Sequence, residues 1–336
     1  MVDFAGSIAY EACQQSSAKY ARVALELDYI GNSTLRNSAK KIRAGEFLRV
    51  FKKRRTSMKD FKIALQLYSI RDEMEKDMDK TLGAVKAMGY DYVEWAGFYG
   101  RSAEEVKALL DKHGLIGLSI HQSPSVIIEQ GQDAIDFLKE IGVKYYAIPH
   151  YALEDLQNNF DQIVELFTKV GKILKENDIQ MLYHNHDFEF HKIGDEYILD
   201  KLFASVPADL MNPQIDTCWV RYAGLNPVDY VRKYKGRVSI IHFKDYICLN
   251  PDGSPVCESL GQEAKPKVSS HAENGFEFRS LGDGAQDFPA LLEVAEEVDA
   301  CMLVVEQDFA VDRTPMEAAQ RSLDYLKRIL GERKPC

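Results

Sequence analysis

Four apolar, strand-like segments in the second half of the chain each end in a side chain that can bind a divalent metal ion. The segments are IQMLYH, NPQID, RVSIIH and CMLVVE, and they end at His184, Asp216, His242 and Glu306. In a parallel β/α barrel the carboxyl ends of successive strands meet at one mouth, so this fold would bring the four side chains together. The spacing therefore predicts a shared metal site, and a metal site of this kind predicts an enzyme.

Eight strand-like segments alternate with segments of helical period from Phe61 onward. The strands are predicted at residues 63–69, 90–97, 115–121, 143–150, 179–184, 212–218, 237–243 and 301–307. Ser102 and Asn226 are predicted to cap two of the intervening helices. We therefore predict an α/β protein, a (β/α)8 TIM barrel with an N-terminal extension. A doubly wound open sheet is the alternative, but YSIRDEME follows the first strand in place of a glycine-rich phosphate turn.

The first 57 residues differ from the rest in pattern and in charge. They contain eleven Lys or Arg and five Asp or Glu, whereas the remaining 279 residues carry a net charge of −16. We predict that residues 1–57 are a weakly ordered or non-essential extension and that residues 58–332 form the barrel. The acidic body lacks the basic surface that nucleic acid binding needs, so nucleic acid is not an expected partner. The run KKRR at 52–55 leaves a small targeting or nucleic acid patch open.

Apolar runs in this chain stay well below the roughly 18 residues of a membrane span, so no membrane association is expected. The six cysteines lie far apart without CxxC pairs, and the N-terminus lacks the apolar pattern of a secretion signal. These features predict reduced thiols and a cytoplasmic location.

A long segment between His242 and Glu306 interrupts the regular alternation. It contains 63 residues, rich in Gly, Pro and Ser, and it leaves the end of the barrel where chemistry takes place. We predict that this segment faces the substrate and that Arg279 contacts a ligand oxygen. A surface loop without function would have the same composition.

The strand-end residues Asp216, His242 and Glu306 suit a divalent ion such as Mn²⁺, Mg²⁺ or Co²⁺, which accepts carboxylate and imidazole ligands together. A charge at the end of an apolar run is costly unless it is paired or coordinated. The alternative is a set of salt-bridged residues at strand ends.

Several short sequence segments of the chain resemble those of one protein family. LQLYSIRD, YHNHDFEF, IDTCWV, HFKD and the late GDG are similar to the sugar phosphate isomerase/epimerase family of xylose isomerase-like TIM barrels, over nearly all of residues 58–332. The resemblance implies one divalent metal, commonly Mn²⁺, with Mg²⁺, Co²⁺ or Zn²⁺ as alternatives. It implies ligands of the type Glu, Asp, His and Glu on strands five to eight, which Asp216, His242 and Glu306 match.

Strand five departs from that pattern, because His184 stands where the resemblance implies a Glu. His184 is therefore predicted as a metal ligand, and a symmetrical epimerisation between two carboxylates becomes doubtful. Glu189, five residues further along, is the weaker candidate for compensation.

A metal that polarises a carbonyl and its neighbouring hydroxyl favours loss of a proton from the adjacent carbon. Glu306 is the predicted general base, and His184 or His121 is predicted to return the proton. Lys244 is predicted to neutralise charge on a substrate oxygen, and Asp245 to support the metal ligands.

Further side chains are expected to contact the substrate because they end strands or follow them. His121 and His150 end strands three and four, Glu94 ends strand two, His186 follows His184, and Trp219 follows Asp216. For each of these, a purely structural role is the alternative.

The predicted function is a metal-dependent isomerase or epimerase of a ketose, keto-sugar or sugar derivative. A lyase or dehydratase acting on 3-oxo-sugars or inosose-like cyclitols is the main alternative, because the same enediolate could expel a neighbouring substituent. An abasic-site endonuclease is disfavoured, since Trp219 stands where such enzymes carry a His, and a non-catalytic sugar-binding barrel remains open. The expected partner is a small carbohydrate, and the resemblance leaves a homo-oligomer open.

Overall fold

The computed structural model of the chain describes residues 60–249 and 275–332. The predictions for the extension at 1–57, including the KKRR run, lie outside the described residues. Residues 250–274, within the segment between His242 and Glu306, lie outside the described residues as well.

Eight parallel strands close into a barrel in which each strand pairs with its neighbours along the chain. The last strand pairs with the first, from Lys62 beside Met302 to Leu65 beside Val305. The strands are β1 Lys62–Gln66, β2 Tyr92–Trp95, β3 Ile116–His121, β4 Tyr145–Ile148, β5 Gln180–His184, β6 Met211–Asp216, β7 Ile240–Phe243 and β8 Met302–Val305. The predicted (β/α)8 TIM barrel is confirmed.

The helices surround this barrel, and two of them begin at the capping residues that the sequence predicts. Their bounds are Arg71–Lys76, Met78–Met88, Ala103–His113, Pro124–Gln130, Gln132–Glu140, Leu153–Asn158, Phe160–Glu176, Ile198–Ser205, Thr217–Tyr222, Pro227–Lys233, Phe288–Glu297 and Pro315–Glu332. Ser102 forms a capping box with Glu105, and the Asn226 side chain accepts hydrogen bonds from the amides of Val228 and Asp229. Both predicted caps are thus confirmed. None of the described helices has the length and apolar character that crossing a bilayer requires.

Five strands end earlier than the sequence predicts, namely β1, β2, β4, β6 and β8. In two of them a polar side chain at the strand end caps the next turn. β6 ends at Asp216, whose carboxylate accepts from the amides of Cys218 and Trp219. β1 ends at Gln66, whose side chain accepts from the amide of Tyr68 and starts the 3-10 turn Leu67–Ile70. The same capping bonds hold these two strand-end side chains in place.

Short antiparallel hairpins project from the barrel after two strands. Asp245–Cys248 pairs with Phe276–Arg279 after β7, and Lys192–Ile193 pairs with Glu196–Tyr197 after β5 and the 3-10 turn Phe188–Phe190. The first hairpin is a correction, because the sequence predicted an irregular loop there. Its strands belong to a buried aromatic cluster that contains Trp219, Tyr222, Tyr246, Phe276 and Phe278.

The barrel interior changes from apolar to polar along the strands. The apolar layer consists of Ala64, Ala147, Leu182, Ile240, Met302 and Val304. Side chains two residues further along a strand point to the same side, so Gln66, His184, His242 and Glu306 also face inward. The polar end is therefore the mouth at the carboxyl ends of the strands.

Candidate active site

The mouth of the barrel holds a compact cluster of side chains that can bind a metal. His184, Asp216, His242 and Glu306 are buried, and one ligand atom of each lies within 4.8 Å of the others. The register explains this, since Asp216 pairs with His242 between β6 and β7, and His184 pairs with Gln214 between β5 and β6. The structure thus brings together the four side chains that the sequence singles out as ligands.

Three buried atoms of this cluster form no hydrogen bond with any of the described residues. They are Oδ2 of Asp216, Nδ1 of His184 and Nε2 of His242. The other oxygen of Asp216 accepts from the amides of Cys218 and Trp219, at 2.8 and 3.3 Å, which fixes the carboxylate. Leaving a buried polar atom without a hydrogen bond costs about 1–3 kcal/mol, and a cation in the cluster would contact Oδ2 of Asp216. Two imidazoles and two carboxylates fit a divalent ion such as Mn²⁺, Co²⁺ or Zn²⁺.

Lys244 places an ammonium group beside three carboxylates at the edge of the cluster. Its Nζ lies 3.1 Å from Oε2 of Glu306, 3.3 Å from Oδ2 of Asp216 and 3.0 Å from Oδ1 of Asp308. Burial acts to lower the pKa of Lys244, but the carboxylates outweigh burial and hold the pKa well above its ordinary value. Lys244 is therefore a fixed positive charge, and it balances only part of the surrounding negative charge.

The predicted ligands differ in protonation. Burial opposes a charged imidazole, but Glu94 and Glu306 outweigh burial and raise the pKa of His242 to about 10. Burial and the neighbouring imidazoles lower the pKa of His184 well below its ordinary value. Burial raises the pKa of Asp216 to about 6. At neutral pH the metal-free cluster therefore contains a protonated His242 and a neutral His184.

Glu306 stays ionised under the same conditions. Burial acts to raise its pKa, but Lys244 and the hydrogen bond with His242 outweigh burial and lower the pKa. The side chain lies just after β8 and its Oε2 is 2.9 Å from Nδ1 of His242. An ionised carboxylate at the mouth of the barrel has the protonation state that a general base needs.

Glu94 faces the inside of the barrel, and its predicted contact with substrate stays a prediction. Its side chain is fully buried. One oxygen accepts from Nε2 of Gln66 at 2.8 Å, and the other accepts from Oγ of Ser119 at 2.5 Å and from Nε2 of Gln214 at 2.7 Å. Burial acts to raise the pKa of Glu94, but the imidazoles of His121 and His242 hold it well below its ordinary value.

The three remaining histidines of the predicted site lie at different depths. Nε2 of His121 is 2.7 Å from Oε1 of Gln214 and 3.0 Å from Oε1 of Glu94, so this ring is tied to the interior. The ring of His186 stacks on Phe188 at 5.4 Å, and its Nδ1 is buried without a hydrogen-bond partner. His150 is exposed, with its ring 6.2 Å from that of His186. Substrate contact by these histidines stays a prediction.

Trp219 and Arg279 lie on the side of the mouth formed by the hairpin after β7. Trp219 is buried, its ring stacks on Phe276 at 5.4 Å, and Nζ of Lys244 lies 5.3 Å from the ring centroid. The guanidinium of Arg279 donates to the carbonyl of Phe278 at 2.9 Å and to the Glu277 carboxylate at 2.5 Å. Substrate contact by either residue stays a prediction.

Two acidic residues near the mouth bind backbone amides and a tyrosine hydroxyl. The Asp245 carboxylate accepts hydrogen bonds from the amides of Gly282, Gly284 and Gln286. The oxygens of Glu189 accept from the Tyr183 hydroxyl and from the His186 amide, both at 2.8 Å. Each carboxylate fixes a turn near the mouth.

Sequence reasoning missed four residues that contact the site. They are Gln66, Ser119 and Gln214, which hold Glu94, and Asp308, which pairs with Lys244. A signal for three of them was present, since Gln66, Ser119 and Gln214 are polar residues within otherwise apolar strands. Asp308 follows β8 in a loop, where nothing in the sequence distinguishes it.

A cavity of about 580 Å³ lies away from this cluster. It is lined by residues such as Tyr197, Asp200, Lys233, Tyr234 and Arg237, and none of the predicted site residues contributes to it. Lys233 is already paired with Asp200 at 2.6 Å. Among the described residues, the predicted catalytic and metal-binding side chains therefore lie at the mouth of the barrel and not in this cavity.

Comparisons with known proteins agree with this geometry. The profile of the xylose isomerase-like TIM barrel family matches residues 82–329. Over 215 residues the chain is 26% identical to an inosose dehydratase of Clostridium beijerinckii, which covers 58% of this chain and 68% of that protein.

Two solved structures illustrate the shared fold. A sugar phosphate isomerase/epimerase from Parabacteroides distasonis has a TM-score of 0.61 at 22% identity, covering 81% of this chain and 96% of that chain. The IOLI protein, solved with a bound zinc atom, has a TM-score of 0.58 at 15% identity, covering 81% of this chain and 99% of that chain. At these identities the likeness concerns the fold alone. Because the family profile spans most of its length, this chain belongs to the xylose isomerase-like TIM barrel family of enzymes.

Proposed function

We propose that this protein is a metal-dependent enzyme that removes a proton from the carbon next to a carbonyl group of a sugar or cyclitol. The observation that carries the proposal is the buried cluster of His184, Asp216, His242 and Glu306 at the mouth of the barrel. The fixed ammonium of Lys244 beside that cluster supports it.

The ligands in this proposal are His184, Asp216, His242 and Glu306. A divalent ion bound there would draw electrons from a carbonyl oxygen and a neighbouring hydroxyl oxygen and so acidify the proton between them. We propose Mn²⁺ as the resident ion, with Zn²⁺, Co²⁺ and Mg²⁺ as alternatives. Two imidazole ligands favour Mn²⁺ or Zn²⁺ over Mg²⁺, which prefers oxygen ligands and keeps its water.

In the proposed reaction Glu306 takes the proton, because it is ionised and lies just past the end of β8. Lys244 stays protonated and stabilises the negative charge that develops on a substrate oxygen. His184 is neutral and has no proton to give, so we assign it to metal binding and not to proton return. His121, close to His184 with ring centroids 4.7 Å apart, is the proposed group for proton return.

Two outcomes of this chemistry are open, and we place dehydration first. Epimerisation needs a proton acceptor on one face of the substrate and a proton donor on the other. Because His184 is neutral, only His121 remains of the two donors that the sequence suggested. Elimination of water from an inosose-like cyclitol or a 3-oxo-sugar breaks one C–H bond beside the carbonyl and one C–O bond at the next carbon, and the proton that Glu306 takes can pass to the departing hydroxyl, which leaves as water. The similarity to an inosose dehydratase supports this outcome.

Isomerisation or epimerisation of a ketose or keto-sugar is the second candidate. The observation in its favour is the position of His121, whose ring lies beside both His184 and His242. A small carbohydrate is the partner in either case. A cytoplasmic location and a homo-oligomer stay predictions.

The two outcomes can be separated in D₂O. The metal-loaded protein is incubated with an inosose, with a 3-oxo-glucoside and with free ketoses, and the products are followed by mass spectrometry and NMR. Dehydration gives a product that has lost water, whereas isomerisation or epimerisation gives an unchanged skeleton with deuterium at the carbon that lost its proton. A chelator should stop either reaction. Absence of any metal-dependent conversion or exchange with these substrates would refute the proposal.

A further inference from the structure

We infer that Glu94 is a positioning residue for the metal site, which holds the His242 ring so that Nδ1 faces the cation and Nε2 faces the barrel interior. The inference rests on the metal site of the proposed function. It goes further by assigning the orientation of one ligand to a residue that does not itself bind the ion.

The His242 ring lies between two carboxylates. Nδ1 is 2.9 Å from Oε2 of Glu306, on the side of the cluster, and Nε2 is 2.7 Å from Oε1 of Glu94, on the interior side. Nε2 of His242 forms no hydrogen bond with the described residues, so its 2.7 Å contact with Glu94 acts through charge. A carboxylate on the interior side favours a proton on Nε2 and leaves Nδ1 for the cation.

Glu94 is itself held rigidly. Gln66 on β1, Ser119 on β3 and Gln214 on β6 each donate a hydrogen bond to its carboxylate. The register places Glu94 beside Gln66 and Ser119 on the neighbouring strands. With three neutral donors fixing its oxygens, the carboxylate cannot turn away from the ring of His242.

A fully buried carboxylate is expensive unless a charged partner compensates it. The nearest imidazole nitrogen is Nε2 of His242, 2.7 Å from Oε1 of Glu94, and Nε2 of His121 lies 3.0 Å from the same oxygen, whereas Gln66, Ser119 and Gln214 are neutral. The proposed metal ligands include two carboxylates, Asp216 and Glu306. Glu94 therefore adds a third negative charge near the site. That charge acts on the cation through His242, because it makes the imidazole a stronger metal ligand.

The test measures affinity for Zn²⁺ on the full chain by competition with a chromophoric chelator. Glu94→Gln keeps the size of the side chain and removes the charge, and we expect the dissociation constant to rise about 10- to 100-fold. Glu94→Asp, which restores the charge, should recover part of the loss. Glu189→Gln is the matched control, because Glu189 is also fully buried but bonds to Tyr183 and His186 and not to a ligand. Its dissociation constant should equal that of the wild type.

A second measurement needs no variant of Glu94, in case Glu94→Gln does not fold. Histidine-selective ¹⁵N labelling of the wild type, loaded with Zn²⁺, should show His242 protonated at Nε2 and coordinated through Nδ1. Coordination through Nε2 would overturn the inference, as would wild-type affinity in a folded Glu94→Gln. A wild type that binds no Zn²⁺ and no Mn²⁺ would overturn the proposed metal site as well, so the two failures are distinct.

Discussion

Nδ1 of His242 lies 2.9 Å from Oε2 of Glu306, and both side chains are buried. In the metal-free protein this pair shares a proton, since the carboxylates on either side raise the pKa of His242 to about 10. A metal ligand must present a free lone pair, so the same nitrogen cannot hold a proton and a cation together. The pair therefore links metal binding to pH.

We expect the release of about one proton for each ion bound between pH 7 and 9. Asp216, with a pKa raised to about 6, is already ionised in this range, so the proton comes from His242. Affinity for the ion should rise with pH over the same interval. Calorimetric titration with Zn²⁺ in two buffers of different ionisation enthalpy measures the proton count, and equal heats in both buffers would contradict the prediction.

The same raised pKa fixes the sign of a stability effect in the metal-free protein. His242 has an ordinary pKa of 6.5 and a folded pKa of about 10. Its contribution to the free energy of unfolding is therefore complete below pH 6.5 and is lost as the pH rises through about 10. Urea unfolding in the presence of a chelator should show this decline between the two values. The comparison is with a His242→Gln variant. If the contribution of His242 to the free energy of unfolding increased with pH, the prediction would be contradicted.

Replacing Glu306 by Gln should abolish most of the turnover while leaving the fold intact. The amide keeps the shape of the side chain but cannot accept the proton, and loss of a general base typically lowers the rate by about 10²–10⁴-fold. Glu293→Gln is the control, since Glu293 is exposed on the helix Phe288–Glu297. The measurement is the rate of metal-dependent substrate deuterium exchange. Exchange at the wild-type rate in Glu306→Gln would remove Glu306 from the role of base.

The sequence was sufficient to predict the barrel and the meeting of Asp216, His242 and Glu306, because the carboxyl ends of all strands of a parallel barrel lie at one mouth. Strand ends were less predictable. Gln66 and Asp216 stop their strands by capping the next turn, and such bonds depend on side-chain geometry that periodicity does not contain.

The role of Glu94 could not be predicted for a different reason. Its position at the end of β2 was correct, but its partners Gln66, Ser119 and Gln214 come from three other strands. Whether a strand-end carboxylate faces substrate or the interior depends on those partners, which are distant in sequence. Asp245 illustrates the same limit, because the amides that it binds lie 37 to 41 residues further along the chain.

Replacing Lys244 by Met should destabilise the metal-free protein. Lys244 is 1% exposed and faces Glu306, Asp216 and Asp308, so its loss leaves buried carboxylates without compensation. Breaking a buried ion pair in this way costs about 3–5 kcal/mol of unfolding free energy. Zn²⁺ should restore part of the loss, because the ion brings positive charge to two of the same carboxylates.

Urea unfolding with and without Zn²⁺ measures this effect. Lys233→Met is the matched control, since Lys233 pairs with Asp200 while its side chain is 49% exposed. An ion pair at that exposure contributes about 0–1 kcal/mol. If the two Lys variants lost the same stability, the charge balance assigned to Lys244 would be incorrect.

Replacing Gly284 by Ala should loosen the turn that Asp245 binds. A Cβ at this position would lie 2.3 Å from Oδ1 of Asp245 and 2.6 Å from the carbonyl oxygen of Tyr246, so the carboxylate would have to move. The movement would break its bonds to the amides of Gly282 and Gln286. We expect the free energy of unfolding to fall by about 1–3 kcal/mol, as for other overpacked positions.

Gly331→Ala is the control, because a Cβ there meets no atom within 4 Å. Gly331 also lies in a helix, where Ala is favoured over Gly by about 1 kcal/mol. Thermal unfolding compares the two variants. A midpoint for Gly284→Ala at or above that of the wild type would contradict the prediction, because it would show that the turn accommodates the added methyl group.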